Sequence, residues 1–400
     1  MKIVYLHQYF NTADVAGGTR SYEFARRLVR QGHEVHVVTS SRSDGRRDRT
    51  WKVTPIEGIV VHAISQPYDN AMGPRERVAA FLRFAVYSAV RARSLRGDVV
   101  FATSTPLTIA IPAILATLGR KTPFVMEVRD LWPTVPIALG YLRNPVTRVL
   151  AKALERIAYA RASHIVALSE GMAKGVASAG VDPLQITVIP NLSDTNRFRG
   201  VTDCRAFYDN YPQLEGRPFI VYTGTFGHVN GVEYMADLAK AYNSLDSDVA
   251  FVAFGDGGRR NAVSEHADKI GVLGKNFFIF DPVPKRELPN VLAASLACSS
   301  WVIPIVELEA NSANKLFDAF AAGRPMLINH GGWQSELLAG SGAGLELSST
   351  SAVTAAEWLF KHLSDTDWLE NARTASEELG TTRFEVELLF SKFEQVLLAA

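Results

Sequence analysis

The segment Asn311–Pro325, NSANKLFDAFAAGRP, places two charges among small and apolar residues. Lys315 and Asp318 stand three positions apart, which on a helix puts them on one face. The pattern predicts a short helix, capped by Asn311 or Ser312 and ended by Gly323 and Pro325. Lys315 then falls in the first turn, facing the positive end of the helix dipole, at a cost of roughly 0.3–1 kcal/mol. An anion bound at that helix start would offset the cost, because backbone N–H groups and the dipole both favour negative charge there. The alternative is a surface Lys315–Asp318 pair worth a few tenths of a kcal/mol.

A second group is MEVRDLWP, Met126 to Pro133, which ends an apolar strand with Glu127, Arg129 and Asp130. Charges at the mouth of a buried strand suit substrate contact, and Asp130 could orient a hydroxyl or assist proton transfer. An internal Arg129–Glu127 or Arg129–Asp130 pair would instead hold the loop. Glycine turns supply the third kind of chemistry. Gly17-Gly18 precedes a helix, and YTGTFGHVNG carries Gly224, Gly227 and Gly231 before another, so that N–H groups can approach an anion. Neither is the G-x-G-x-x-G of a dinucleotide site. FGDGGRR, with Gly255, is a further glycine turn, and GSGAG (Gly340 to Gly344) is expected to be an ordinary turn. The two D-x-D triplets, at Asp246/Asp248 and Asp365/Asp367, are expected to be solvated turns rather than metal sites.

These residues must be positioned by alternating short strands and helices. KIVYLHQYF, EVHVVTS, VVFATS, PFVMEVRD, HIVALS and ITVIPN are candidate strands of the first half, and FIVYTGTF, VAFVAFGDG, FFIFDPV, LACSSWVIPI and PMLINH of the second. Apolar runs without strict alternation suit strands covered on both faces. The repeated βα pattern predicts an α/β protein of two doubly wound, Rossmann-like domains facing a cleft, with ligands at the strand carboxyl ends. Residues 1–200 and 201–382 would form the domains, and a last helix near 383–400 would pack back on the first. A length of 400 residues agrees with two cores.

The net charge of +1 conceals an asymmetry. Residues 1–200 hold 27 Lys/Arg and 15 Asp/Glu, a balance of +12; the remainder holds 42 − 27 = 15 and 41 − 15 = 26, a balance of −11. A basic half can meet an anionic membrane or a phosphorylated substrate. Much of that charge lies in Gly73–Gly97, where six arginines interleave with Val78, Phe81, Leu82, Ala85, Val86, Ala89 and Val90 at helical spacing. Such a helix either packs on its own domain or lies on anionic lipid. TPLTIAIPAILATLG, from Thr105, is too short to span a bilayer. The start, MKIVYLHQYF, suits a first strand rather than a signal peptide. The two cysteines, Cys204 and Cys298, lack metal or redox spacing, which suits a reducing compartment.

In order along the chain, GGTRSYEFARRLVRQGHEVHVVTS, SEGMAKGVASAGVDPLQITVIPNLSD, FGDGGRR, FFIFDPVPKRELPNVLAAS and DAFAAGRPMLIN resemble the motifs of family 4 retaining glycosyltransferases, which have the GT-B fold. MEVRDLWP and NKLFDAFAAGRP resemble a bacterial surface-polysaccharide branch that includes N-acetyl-L-fucosamine transferases. The resemblance implies sugar transfer with retention from a nucleotide diphosphate donor, a UDP-sugar, without metal or cofactor. The acceptor would be a lipid-linked saccharide or glycan at the inner face of the cytoplasmic membrane, with no role for nucleic acid. The family's two glutamates fall on Ala310 and Asp318, its diphosphate-clamping Arg and Lys on Thr225 and Asn230, and its His-Asp pair on Arg129-Asp130. With those cations replaced, Lys315 is expected to pair with the diphosphate and Asp318 to accept from the ribose hydroxyls. The backbone at Val283 would contact the base. Gly17, Gly18, Gly224, Gly227, Gly255 and Asn314 belong to the donor side, and Glu127, Arg129 and Asp130 to the acceptor side. Asp130, Lys315 and Asp318 are the expected catalytic residues. Two other readings share the architecture: a UDP-sugar 2-epimerase, and a non-catalytic nucleotide- or glycan-binding protein.

Overall fold

The computed structural model describes residues 1–41, 50–66, 74–201, 203–245 and 247–400, with backbone alone at 74, 75, 77 and 78. Asp246 of the first D-x-D triplet and Gly73 of the Arg-rich stretch therefore lie outside what is described, as do the side chains of Arg75 and Arg77.

Eight strands build the first sheet: β1 (Lys2–Leu6), β2 (Glu34–Ser41), β3 (Trp51–Ile56), β4 (Ile59–Ser65), β5 (Val99–Thr103), β6 (Phe124–Val128), β7 (His164–Ala167) and β8 (Ile186–Val188). Their order is β3-β4-β2-β1-β5-β6-β7-β8. Six strands build the second: β9 (Phe219–Thr223), β10 (Ala250–Phe254), β11 (Phe277–Phe280), β12 (Ala297–Ser300), β13 (Met326–Ile328) and β14 (Gly344–Glu346), in the order β11-β10-β9-β12-β13-β14. Every residue of β5, β6 and β10 is buried, as expected of strands with helices on both faces. Each sheet carries a separate apolar core on each face.

The structure departs from the sequence expectation at two sheet edges. Strands β3 and β4 form an antiparallel hairpin in an otherwise parallel sheet. Its turn holds Glu57 and Gly58 at φ 46° and 82°. Strand β3 is exposed along its middle and contains Pro55, so it lacks the apolar signature of the inner strands. At the other edge, GSGAG is more than a turn. Gly342 caps the preceding helix in the left-handed conformation, and Gly344 begins β14. A Cβ at Gly344 would lie 1.9 Å from the Met326 carbonyl oxygen, so only glycine lets β14 approach β13.

The chain crosses between domains twice, and the crossings pair. Ser193 N donates to Phe384 O and Val386 N to Ser193 O. Phe198 already packs in the second domain's core. After the second crossing, the helix Val386–Ala399 returns to the first domain, where Phe393 stacks on Phe24 at 4.5 Å.

The Arg-rich stretch forms the helix Pro74–Leu95. Its apolar residues divide between two faces: Phe84, Ala85, Ala89 and Ala92 are buried, while Leu82, Val86 and Val90 are exposed. Beside it, the apolar segment after Thr105 is a single 3₁₀ turn and the helix Ala110–Thr117. Among the described residues, no helix is long and apolar enough to cross a membrane.

Candidate functional site

The carboxyl ends of both sheets face a cleft of about 640 Å³, of the size that holds one ligand of nucleotide-sugar dimensions. The loop between β1 and the helix Arg20–Arg30 reaches across it. Lys285 N donates to Val15 O, Arg286 N to Ala13 O, and the Arg286 guanidinium pairs with Asp14 at 2.9 Å. Gly18 lies against the Asn314 amide, where a Cβ would come within 2.6 Å of Nδ2.

The second domain supplies the cationic wall. The helix Asn314–Ala321 begins at the cleft, but its cap is Ala313, with no side-chain hydrogen bond. Asn311 and Ser312 do not cap it. The Asn311 carbonyl instead accepts from Trp333 Nε1 and Gln334 Nε2, and the Ser312 carbonyl accepts from Asn191 Nδ2 across the domain boundary. The start of the helix is therefore left open toward the cleft.

Lys315 lines the cleft. Its Nζ lies 4.8 Å from the centroid of the Tyr222 ring. The backbone of Gly224 is so close that a Cβ there would stand 2.9 Å from Lys315 Cε. Among the described residues no carboxylate pairs with Lys315, and burial lowers its pKa to about 8. The Lys315–Asp318 surface pair does not form. Asp318 is buried, and Lys285 Nζ donates to both of its carboxylate oxygens. Lys285 also lines the cleft, and sequence reasoning passed over it. The signal was a cation placed just beyond strand β11, in DPVPK.

The glycine turns divide. Gly224, with Thr225 and Asn230, lines the cleft, as do Gly17, Gly18, Val283 and Asn314. Gly227 and Gly255 do not line it. A Cβ on Gly255 would lie 1.8 Å from the Gly224 carbonyl oxygen. The bonds Gly224 N to Phe254 O and Phe226 N to Asp256 O zip the two turns together. Gly255 thus permits backbone packing beneath the cleft rather than contact within it.

The first domain supplies the opposite wall. Asp130 accepts from Thr105 Oγ1 at 2.7 Å, and burial raises its pKa. The Arg129 amide donates to Ser104 Oγ. Both residues line the cleft, and no ion pair joins Arg129 to Glu127 or Asp130 among the described residues. Glu127 does not face the cleft. It is fully buried on the other face of β6, bonded to Arg20 Nε at 2.8 Å and Thr103 Oγ1 at 2.6 Å. Arg20 in turn donates to the Ile189 and Pro190 carbonyls. Glu127 is therefore the counter-ion of an arginine that holds the first domain crossing. His7 and Asn191 also line the cleft, and neither stood out in the sequence.

The position expected to carry the first of the two glutamates lies at the domain boundary. Ala310 Cβ would lie 3.0 Å from a Cβ on Gly171, and the Ala310 carbonyl accepts from Ser169 Oγ of the facing domain. The neighbouring Glu309 lies against Gly331 and Gly332 rather than in the cleft.

Two parallel-sheet α/β domains, facing each other across a cleft with a nucleotide-sized cavity, define the GT-B architecture of glycosyltransferases. Residues 16–192 match the glycosyl transferase 4-like domain. Among curated proteins, a probable glycosyltransferase WbjE of Pseudomonas aeruginosa is 24% identical over 263 residues, which span 64% of this chain and 64% of that protein. Among solved structures, HepE of Anabaena, in complex with UDP and glucose, superimposes with a TM-score of 0.73 at 15% identity and full coverage of both chains. WaaG, a glycosyltransferase involved in lipopolysaccharide biosynthesis, does so with a TM-score of 0.73 at 16% identity, again over both whole chains.

Proposed function

We propose that this protein transfers a sugar, with retention, from a UDP-sugar to a lipid-linked or glycan acceptor in bacterial surface-polysaccharide biosynthesis. One observation carries the reading: a cleft-facing lysine without a carboxylate partner, at an uncapped helix start, opposite a glycine that makes room for it. That set is an anion site waiting for charge, and a diphosphate brings about two negative charges to it. The UDP-bound HepE structure of the same fold supports the choice of nucleotide. Lys315, the open amides of its helix and the Gly224–Thr225 turn would hold the diphosphate and stabilise it as it leaves, without a metal. Asp318, already oriented by Lys285, keeps lone pairs free for the ribose hydroxyls. Asp130 and Arg129 would meet the sugar or the acceptor from the first domain.

The acceptor side of the proposal rests on the outer face of the first domain. Leu82, Val86 and Val90 are exposed on one helix, and Val146, Val149 and Leu150 on the helix Pro145–Arg161. Arg83, Arg143, Lys152 and Arg156 are exposed on the same domain. Exposed apolar residues together with exposed cations suit the anionic, cytoplasmic face of a membrane, where a lipid-linked acceptor would be presented.

Calorimetric titration of UDP into the wild type and into Lys315→Ala tests the donor site. Binding weakened about ten- to hundredfold by the substitution is expected; equal affinities would remove Lys315 from it. Incubating the protein with UDP-sugars, with and without lipid-linked acceptors, separates the activities. A glycosylated lipid supports transfer, whereas a new sugar nucleotide formed without acceptor would identify an epimerase. EDTA is expected to leave transfer unchanged.

A further inference from the structure

Arg129 is the first residue beyond β6 and lines the cleft. Its amide donates to Ser104 Oγ, but its guanidinium has no hydrogen bond or ion pair among the described residues. The side chain is not sealed in: the residue is half-buried, and none of its nitrogens is closed off from the cleft. A permanent positive charge with N–H donors in a planar fork therefore stands open to a ligand.

The neighbours leave that charge unpaired. Glu127 is spent on Arg20 and Thr103, on the other face of β6. Burial and the Arg129 charge together hold the His7 pKa well below its ordinary value, so the ring near Arg129 is neutral. Asp130 gives one carboxylate oxygen to Thr105 Oγ1 and makes no ion pair with Arg129. Its other oxygen has no partner among the described residues and is also open to the cleft. The first-domain wall thus offers an open acceptor and an open cation on consecutive residues. A hydroxyl fits the one and an anion fits the other. The proposed diphosphate site lies on the second domain's wall, with Lys315, the open amides of its helix and the Gly224–Thr225 turn. The anion left for Arg129 is one that arrives with the second substrate. A saccharide joined to a lipid through phosphate carries both groups, an accepting hydroxyl and an anion.

From this geometry we infer that Arg129 binds a phosphate of the acceptor while Asp130 takes an acceptor hydroxyl, so that the protein selects saccharides linked to lipid through phosphate over uncharged glycosides. The inference rests on the proposed transfer to a lipid-linked acceptor.

The test is calorimetric titration at saturating UDP, so that the donor's diphosphate site is filled. Three probes are compared: citronellyl diphosphate, the same diphosphate carrying N-acetylglucosamine, and the uncharged citronellyl glycoside of that sugar. The wild type is expected to bind both diphosphates about tenfold or more tightly than the glycoside. Arg129→Gln should weaken the diphosphates about ten- to hundredfold and change the glycoside and UDP by no more than about twofold. Arg129→Lys, which keeps the charge without the planar fork, should recover part of the loss. A melting temperature near that of the wild type checks the fold of each variant. Equal effects of Arg129→Gln on charged and uncharged probes overturn the inference, as does a wild type that binds neither diphosphate. Weakened UDP binding with the acceptor preference intact overturns it too, because Arg129 would then serve the donor. A new sugar nucleotide formed without acceptor would instead fail the transfer reading itself, and the inference would fall with it.

Discussion

Lys315 is costly to the unliganded protein. Its ammonium pKa is about 8 in the fold against an ordinary 10.5, so the unfolded chain holds the proton more tightly. Below pH 8 the buried charge destabilises the fold. Between pH 8 and 10.5 the folded lysine loses its proton first, and stability rises with pH. Lys315→Met is therefore expected to raise the stability of the unliganded protein at pH 7, by an amount on the order of 1–3 kcal/mol, read as a higher melting temperature, while weakening UDP binding. A bound diphosphate returns the pKa toward its ordinary value. UDP binding between pH 8 and 10 should then take up a proton, and affinity should fall as pH rises, by up to about tenfold per unit. Calorimetry in buffers of different ionisation enthalpy measures that uptake, and Lys315→Met should abolish it. Gly224→Ala should act on the same side chain from the same wall of the cleft, because the new Cβ would displace Lys315 and would sit on a backbone at φ 158°; a loss of UDP affinity together with a lower melting temperature is expected.

The secondary elements explain why Glu127 and Asp130, three positions apart, have unrelated tasks. Along β6, Val125 and Glu127 face the layer containing the helix Arg20–Arg30, whereas Met126 and Val128 face the opposite core. Asp130 lies past the end of the strand, where the backbone turns into the cleft. Glu127→Gln would leave the Arg20 guanidinium buried without its counter-charge. That is expected to cost about 3–5 kcal/mol of stability, read by denaturant unfolding, while UDP affinity changes little. A loss of acceptor turnover at unchanged stability would instead return Glu127 to the acceptor side. The same reasoning applies to Ala310. Ala310 meets Gly171 and Ser169 across the domain boundary, so Ala310→Glu is expected to lower stability rather than raise activity.

At the scale of the whole molecule, charge is segregated by domain. The basic half bears the exposed apolar residues Leu82, Val86, Val90, Val146, Val149 and Leu150, and the acidic half bears Lys315, the cation of the proposed donor site. Flotation with anionic vesicles at low salt is expected to carry the protein upward, and raising the salt should release it, since exposed charges are screened within about 10 Å at 0.1 M. Val86→Asp combined with Val149→Asp should abolish flotation without altering UDP binding. Binding of the double variant equal to that of the wild type would remove this face as the docking surface.

Sequence by itself determined the α/β class, the inner strands and the first-turn position of Lys315, because each follows from local chemistry: continuous apolar runs, glycine turns and helix-end electrostatics. It left the β3–β4 hairpin and β14 illegible, since edge strands lack the inner strands' apolar runs and β14 depends on a glycine meeting the Met326 backbone. Only the tertiary structure decided which partner each charge takes. Lys285 meets Asp318 from 33 residues away, Arg20 meets Glu127 from 107, and Ala310 closes against Gly171 of the other domain. Pairing across such distances is set by how two sheets and their crossing segments pack, and nothing in the local spacing encodes it.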